Sequence, residues 1–327
     1  MAGEWAQVDY SIYHTKDQVF EEVEQLVAAN PKIMRLDEVV APEERTPSTP
    51  AYASPLKVVT VEPGGLSNNH NKKLRLLLNY GEHGRELITV EVALRLLASL
   101  ADPGPALARS VQRGHSPHLL KHLLHSSVFK IVPMENEVGR AAVERGQLCE
   151  RKNGRSVDTN RNWEVHWGFK EKDYDPKEEF PGTRPFSEPE TAAMLRVAQH
   201  FKPHVWMNAH SGMEALFMPY DHMAHIPEGT AALATQDVLQ QLNNISCGGR
   251  CAVGSGGKSV GYLAHGTATD YMYERLGVPL SFTWEIYGDT KAHFNDCFRM
   301  FNPVTQAQFD EVVGNWTDAV FAHRVWH

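Results

Sequence analysis

Residues 73–101, KLRLLLNYGEHGRELITVEVALRLLASLA, carry the reading that sets the fold. The run 73–80 is short, apolar and stopped by Gly81, which predicts a buried strand. Residues 86–101 have helical periodicity and end at Asp102-Pro103-Gly104, where a helix cannot continue. A buried strand feeding straight into a helix is half of a strand–helix–strand unit, which builds parallel or mixed sheets. Between the two elements stand His83 and Glu86, three residues apart at the mouth of the turn.

The alternation recurs along all 327 residues. Helices are predicted over 16–29, 187–201, 229–243, 267–277 and 304–323. Strands are predicted near 33–39, 56–61, 128–134, 204–210 and 279–286. Ser187 reads as the N-cap of the helix over 187–201, with Glu190 completing a capping box. Residues 41–55 carry four prolines and read as a loop. No repeat, low-complexity tract or linker divides the chain. The expectation is one α/β domain over 1–327, with helices on both faces of a largely parallel or mixed sheet and its site at the strand ends.

Net charge is −8, which disfavours nucleic acid and anionic membranes as partners. No apolar run approaches the roughly 20 residues of a membrane span. No signal peptide is visible in the first thirty residues, so the compartment stays open between cytoplasmic and secreted. The four cysteines allow a Cys247–Cys251 disulfide or four free thiols, and the sequons at Asn244 and Asn315 add only a weak pointer to secretion.

Residues i and i+3 share one side of a helical turn, so His83 and Glu86 can converge on one ion. With 17 histidines in the chain, a solvated His beside a Glu favoured by the helix dipole explains such a pair equally simply. His210 ends the strand HVWMNAH before Ser211-Gly212, the place for a ligand or for a capped strand-end histidine. His204 shares its face but sits at the other strand end. A catalytic zinc needs three protein ligands and an open position, and His83, Glu86 and His210 supply that count. Glu285, in the apolar run LSFTWEIYGD, must be paired or functional because burying a lone carboxylate is costly. In VDTNRNW, Arg161 could grip a carboxylate or belong to a polar turn.

Seven pieces in order complete a resemblance: HGRE, ERKNGRSVDTNRNW, FPGTRPFSEPET, AHSG, MPYD, YLAHGTATDYMY and SFTWEIYGD. Over about residues 9–323 the chain resembles the zinc carboxypeptidases of the funnelin, or M14, family. The resemblance implies a single domain with a central mixed, mostly parallel twisted β-sheet flanked by helices. It implies one Zn2+ held by His83, Glu86 and His210; a His2Glu set is established for the family and comes with the resemblance. Glu285 matches the general base that activates the attacking water and then protonates the leaving amine. Arg151 matches the arginine that steadies the tetrahedral oxyanion. Asn160 and Arg161 match the pair that holds the substrate's terminal carboxylate, Tyr262 the mobile tyrosine that closes over it, and Arg85 an accessory subsite arginine. The implied partner is the C-terminus of a peptide or protein, and the implied state a monomer.

Side-chain preference turns on the pocket floor. Thr269 aligns with a position that is aspartate in some basic-specific members and apolar in others. Asp221, closing MPYD, aligns with the aspartate of another basic-specific branch and favours C-terminal Lys or Arg. Two departures bear on subsites: ENEVG stands where many members have an N-P-D-G turn, and Gly212 where digestive members have tyrosine. No inhibitory prodomain is expected before residue 9 and no β-sandwich domain after residue 327. Two other functions fit the scaffold: an amidase or deacylase acting on amino-acid conjugates or cell-wall peptides, and an inactive carboxypeptidase-like binding module.

Overall fold

A computed structural model describes residues 5–41, 52–67, 69–112, 116–259 and 262–322, so most of the proline-rich stretch 41–55 lies outside the described residues. Eight strands form one sheet: β1 Met34–Val39, β2 Leu56–Val61, β3 Leu74–Asn79, β4 Ser127–Val132, β5 Val205–His210, β6 Met213–Met218, β7 Ala252–Ser255 and β8 Leu280–Tyr287. Their spatial order is β1-β2-β4-β3-β5-β8-β6-β7. β3 runs parallel to both β4 and β5, β5 to β8, and β6 to β7. The pairs β1–β2, β2–β4 and β6–β8 are antiparallel. The sheet is mixed, and its centre is parallel.

Central strands are apolar without alternation because both their faces are covered. On β3, Leu76 and Leu78 enter one core and Leu77 the other. The first core is closed by the helices Lys16–Ala29, Leu87–Ala101, Thr230–Ser246 and Gln306–Val320, which contribute Val19, Leu97, Leu239 and Val313. The second is closed by Pro189–Phe201 and Ala268–Glu274, which contribute Val197 and Met272. Helices therefore cover both faces, and every strand and helix expected from the sequence is present within a few residues.

Some local expectations are corrected. The helix Pro189–Phe201 starts after Glu188, not Ser187, and has no side-chain cap. Ser187 Oγ bonds Glu188 Oε1 and accepts from Asn162 Nδ2. Glu190 is buried against Asn153 and Tyr52 instead of closing a capping box. Strands β6 and β7 and the helices Gly104–Gln112, Pro117–His125 and Glu137–Glu144 were not foreseen. Both cysteine pairs are oxidised, Cys149 with Cys297 and Cys247 with Cys251, so four free thiols is the reading that fails. Among the described residues no helix is long and apolar enough to cross a membrane.

Candidate metal centre and substrate cleft

Three elements converge at the C-terminal end of the sheet. β3 ends at Asn79, and the chain reverses through Gly81, whose φ of 65° suits glycine. That turn delivers His83, and Glu86 follows as the N-cap residue of the helix Leu87–Ala101. β5 ends on His210, which lies opposite Glu285 in the register of β8. Gly84 allows the turn to sit down: a Cβ there would lie 2.5 Å from the carbonyl carbon of Gly139.

The predicted ligand atoms meet. His83 Nδ1 lies 2.8 Å from Glu86 Oε1, His210 Nδ1 3.1 Å from Glu86 Oε2, and the two Nδ1 atoms 3.1 Å apart. All three residues are buried. Burial would raise the Glu86 carboxyl, but His83 and His210 outweigh it and hold it well below the usual carboxylate range. Each ring is held from behind by a carboxylate. Asp158 Oδ1 is 3.2 Å from His83 Nε2, and Glu82 Oε2 is 3.2 Å from His210 Nε2. His83 Nε2 is hydrogen-bonded to Asp158, whereas His210 Nε2 meets Glu82 as a close contact without hydrogen-bond geometry; with the proton on Nε2 in each ring, two bare Nδ1 lone pairs and a carboxylate would face one point. Such a donor set repels itself unless a cation lies between, and it fits zinc.

Glu285 stands over this point. The residue is half-buried, its Oε2 is buried with no hydrogen-bond partner among the described residues, and desolvation pushes its carboxyl up to about 7. His210 opposes that rise and Glu86 adds to it. Arg151 Nε donates to Asp158 Oδ2 at 2.9 Å, and its Nη1 reaches to 3.1 Å from His83 Nδ1 and 3.8 Å from Glu86 Oε1. The ENEVG departure preserves this support, because Asn136 caps the helix Glu137–Glu144 through Gly139 N–H and donates to the Arg151 carbonyl.

Arg151, Asn160, Arg161, Asp221, Tyr262 and Glu285 line one cleft with the two histidines. Asn160 spends its amide oxygen on Ala268 N–H at 2.9 Å, which leaves its NH2 end for a ligand. Arg161 Nη2 is held by Glu179 Oε1 at 2.7 Å. Tyr262 is 41% exposed at the cleft. Asp221 is buried in the cleft wall, and burial together with the charge on Asp270 pushes its carboxyl up to about 7. Gly256 makes room for it, since a Cβ there would lie 2.0 Å from Asp221 Oδ1.

Two predicted subsite residues fall outside the lining. Thr269 points into the core, where its hydroxyl meets Thr283 Oγ1 at 2.7 Å and accepts from Trp206 Nε1, so Thr283 reaches the cleft in its place. Arg85 lies across the Phe301 ring, donates to the Cys149 carbonyl and pairs with Glu178 at 2.8 Å. Gly212 has φ 139°, and a Cβ there would lie 2.7 Å from Phe301 Cε1, so this position has no room for a side chain without moving that ring. His204 is excluded as a ligand, because it bonds Arg75 at the far end of β5. Sequence reasoning passed over Glu82, Asp158 and Glu135. The signal was there in part: Glu82 and Glu135 interrupt strand-end runs, where a lone buried acid needs a partner. Asn208 donates to Glu82 Oε2 at 2.6 Å, and Asn79 links Asn208 to Glu135.

The profile of the zinc carboxypeptidase family matches residues 23–311. Mouse carboxypeptidase A2 is 26% identical over 295 residues, covering 85% of this chain and 63% of its own length. Human carboxypeptidase A1 is 24% identical over 290 residues, with the same coverage. The chain thus spans about 63% of the length of these two relatives. Among solved structures, Helicoverpa armigera carboxypeptidase A superposes with TM-score 0.72 at 19% identity, over 97% of this chain and 74% of that one. Bovine thrombin-activatable fibrinolysis inhibitor superposes with TM-score 0.69 at 22% identity, over 96% and 97%. At these identities the superpositions speak for the fold.

Proposed function

The chain belongs to the zinc carboxypeptidase family, and from that premise we propose that it is a zinc-dependent metallocarboxypeptidase that removes single residues from peptide or protein C-termini. One observation carries the reading: His83, Glu86 and His210 bring Nδ1 and carboxylate oxygens within 2.8–3.1 Å of one another in the cleft that also holds Glu285, Arg151, Asn160 and Arg161.

Bound by His83, Glu86 and His210, one zinc ion would supply Lewis-acid polarisation of the scissile carbonyl and acidification of water. The rest falls to the chain. Arg161 takes the substrate's terminal carboxylate with the Asn160 amide beside it, which fixes the scissile bond one residue inward. Glu285 accepts the proton of the attacking water at its free Oε2 and returns it to the leaving amine. Arg151 donates to the oxygen on which negative charge develops. Tyr262 closes the cleft. Asp221 in the wall favours a C-terminal Lys or Arg.

Turnover of hippuryl-Arg and hippuryl-Phe, with and without chelator, tests this together with zinc content by mass spectrometry. About one equivalent of zinc, chelator-sensitive release of the C-terminal residue and faster turnover of hippuryl-Arg are expected. Glu285→Gln should keep its zinc and lose about 10²–10⁴-fold in kcat. Metal-free protein would count against it and for an inactive binding module, and hydrolysis of substrates whose C-terminus is amidated would count against it and for the amidase reading.

A further inference from the structure

A second cavity, of about 580 Å³, opens at the opposite end of β3 from the metal ligands. Arg75, near the start of β3, is at this cavity, while His83 follows the strand's end, so roughly 13 Å of strand and the turn beyond it separate the two places.

Its floor is the sheet face beneath the helix Pro189–Phe201. On β4, Val128 and Val132 enter that core, and Lys130 lies between them on the same face. A lysine facing inward is costly without a partner. Lys130 Nζ donates to Thr60 Oγ1, its register neighbour on β2, at 3.0 Å, and stands 5.5 Å from the centre of the Phe201 ring. Among the described residues it forms no ion pair. The one acid of the lining, Asp37, is already held by Arg35 through two bonds of 2.9 and 3.0 Å. Glu62, on the neighbouring strand end, is engaged by Lys73 and His70.

The remaining cations differ in how far they are committed. Arg75 is spent: its Nε donates to the Lys202 carbonyl at the end of the helix, its Nη1 to the His70 carbonyl, and its Nη2 meets His204. Arg196 uses Nη1 on the Val40 carbonyl and keeps its other donors, and the Lys202 side chain is exposed. The lining therefore holds four Lys or Arg side chains against one Asp, on a chain whose net charge is −8. A concave site of one sign, with an aromatic wall, concentrates ions of the other sign. The volume is that of a small-molecule site.

We infer that this cavity binds a small organic polyanion bearing phosphate or sulfate esters, with Lys130 at the floor and Arg196 and Lys202 at the rim. An ester oxygen on Lys130 would supply the charge partner this ammonium lacks, and Phe201 would take the apolar part of the scaffold. The site lies away from the cleft, so it stands independently of the proposed peptidase chemistry.

Calorimetric titration of the full chain with myo-inositol hexakisphosphate and with sucrose octasulfate, in about 0.15 M salt, tests it. Saturable one-to-one binding is expected for at least one probe, and the tighter of the two names the ester. Lys130→Met removes the charge and keeps the length of the side chain. Arg196→Glu with Lys202→Glu reverses the rim and touches no packed group. Each variant is expected to weaken binding at least tenfold while hippuryl-peptide turnover stays unchanged. No saturable binding up to millimolar probe, or affinity kept within twofold in either variant, overturns the inference.

Discussion

Behind each metal-facing ring stands one acid, Asp158 for His83 and Glu82 for His210. Such partners fix ring orientation, and losing one typically lowers metal affinity 10–100-fold. Glu82→Gln is expected to weaken zinc binding by that factor in a chelator competition on the apoprotein, and to shift the visible spectrum of the cobalt-substituted form. Unchanged affinity and spectrum would remove Glu82 from the support of His210. A second prediction concerns Asp221. With its carboxyl pushed up to about 7, the side chain is neutral below that pH and charged above it. The preference for hippuryl-Arg over hippuryl-Phe, as a ratio of kcat/KM, should therefore rise between pH 6 and 8 and be flat in Asp221→Ala. At this scale the sequence was most legible where a residue type has one cheap use: a His-x-x-Glu turn, a strand-end histidine, a glutamate in an apolar run. It was least legible where packing chooses between neighbours. Thr269 and Thr283 are both threonines near the pocket, and only the sheet geometry decides that Thr283 faces it.

The element that positions the centre is the turn from β3 into its helix, and its tightest point is backbone against backbone. Gly84 approaches Gly139 so closely that a Cβ would lie 2.5 Å from the carbonyl carbon and 2.7 Å from its oxygen. Neither atom can rotate away, so Gly84→Ala must move His83 or the Asn136 turn. The expected cost is about 1–3 kcal/mol in urea unfolding, in the range of overpacked sites, together with weaker zinc retention. A change below about 0.5 kcal/mol would mean that the turn yields easily. Elements with both faces buried, such as β3 and β5, were readable from apolar runs alone. β6 was not, because only Ser211 and Gly212 separate it from β5, and it pairs instead with β8. β7, AVGS, is too short and too rich in small residues to show a pattern. Ser187 looked like a cap by its spacing to Glu190, yet Asn162 captured its hydroxyl from 25 residues away, a contact that no local rule contains.

Across the whole molecule, the Cys149–Cys297 disulfide closes a loop of 148 residues and ties the segment carrying Arg151 to the chain beyond β8. In the chain-entropy picture a loop of that length contributes roughly 5 kcal/mol, against about 2 kcal/mol for the four-residue span of Cys247–Cys251. Replacing Cys149 and Cys297 by serine should therefore lower the urea midpoint far more than replacing Cys247 and Cys251, and equal shifts would refute that ranking. The pairing of Cys149 with Cys297 was beyond sequence reading, since four cysteines allow three complete pairings. The sheet order and the two-faced cover were within it, since alternation of strand and helix leaves few other solutions. One segment in front of the cleft has a larger consequence. Glu178 holds Arg85 and Glu179 holds Arg161, so neighbouring carboxylates of the same chain occupy both arginines. On the proposed role of Arg161, every incoming C-terminus meets a tethered rival that cannot dilute away. Simple metabolite acids, with a carboxylate and little else, lose that contest. A peptide would win by adding contacts along its backbone and side chain, so on that role the resting protein would discriminate against small-acid inhibitors before any bond is cut.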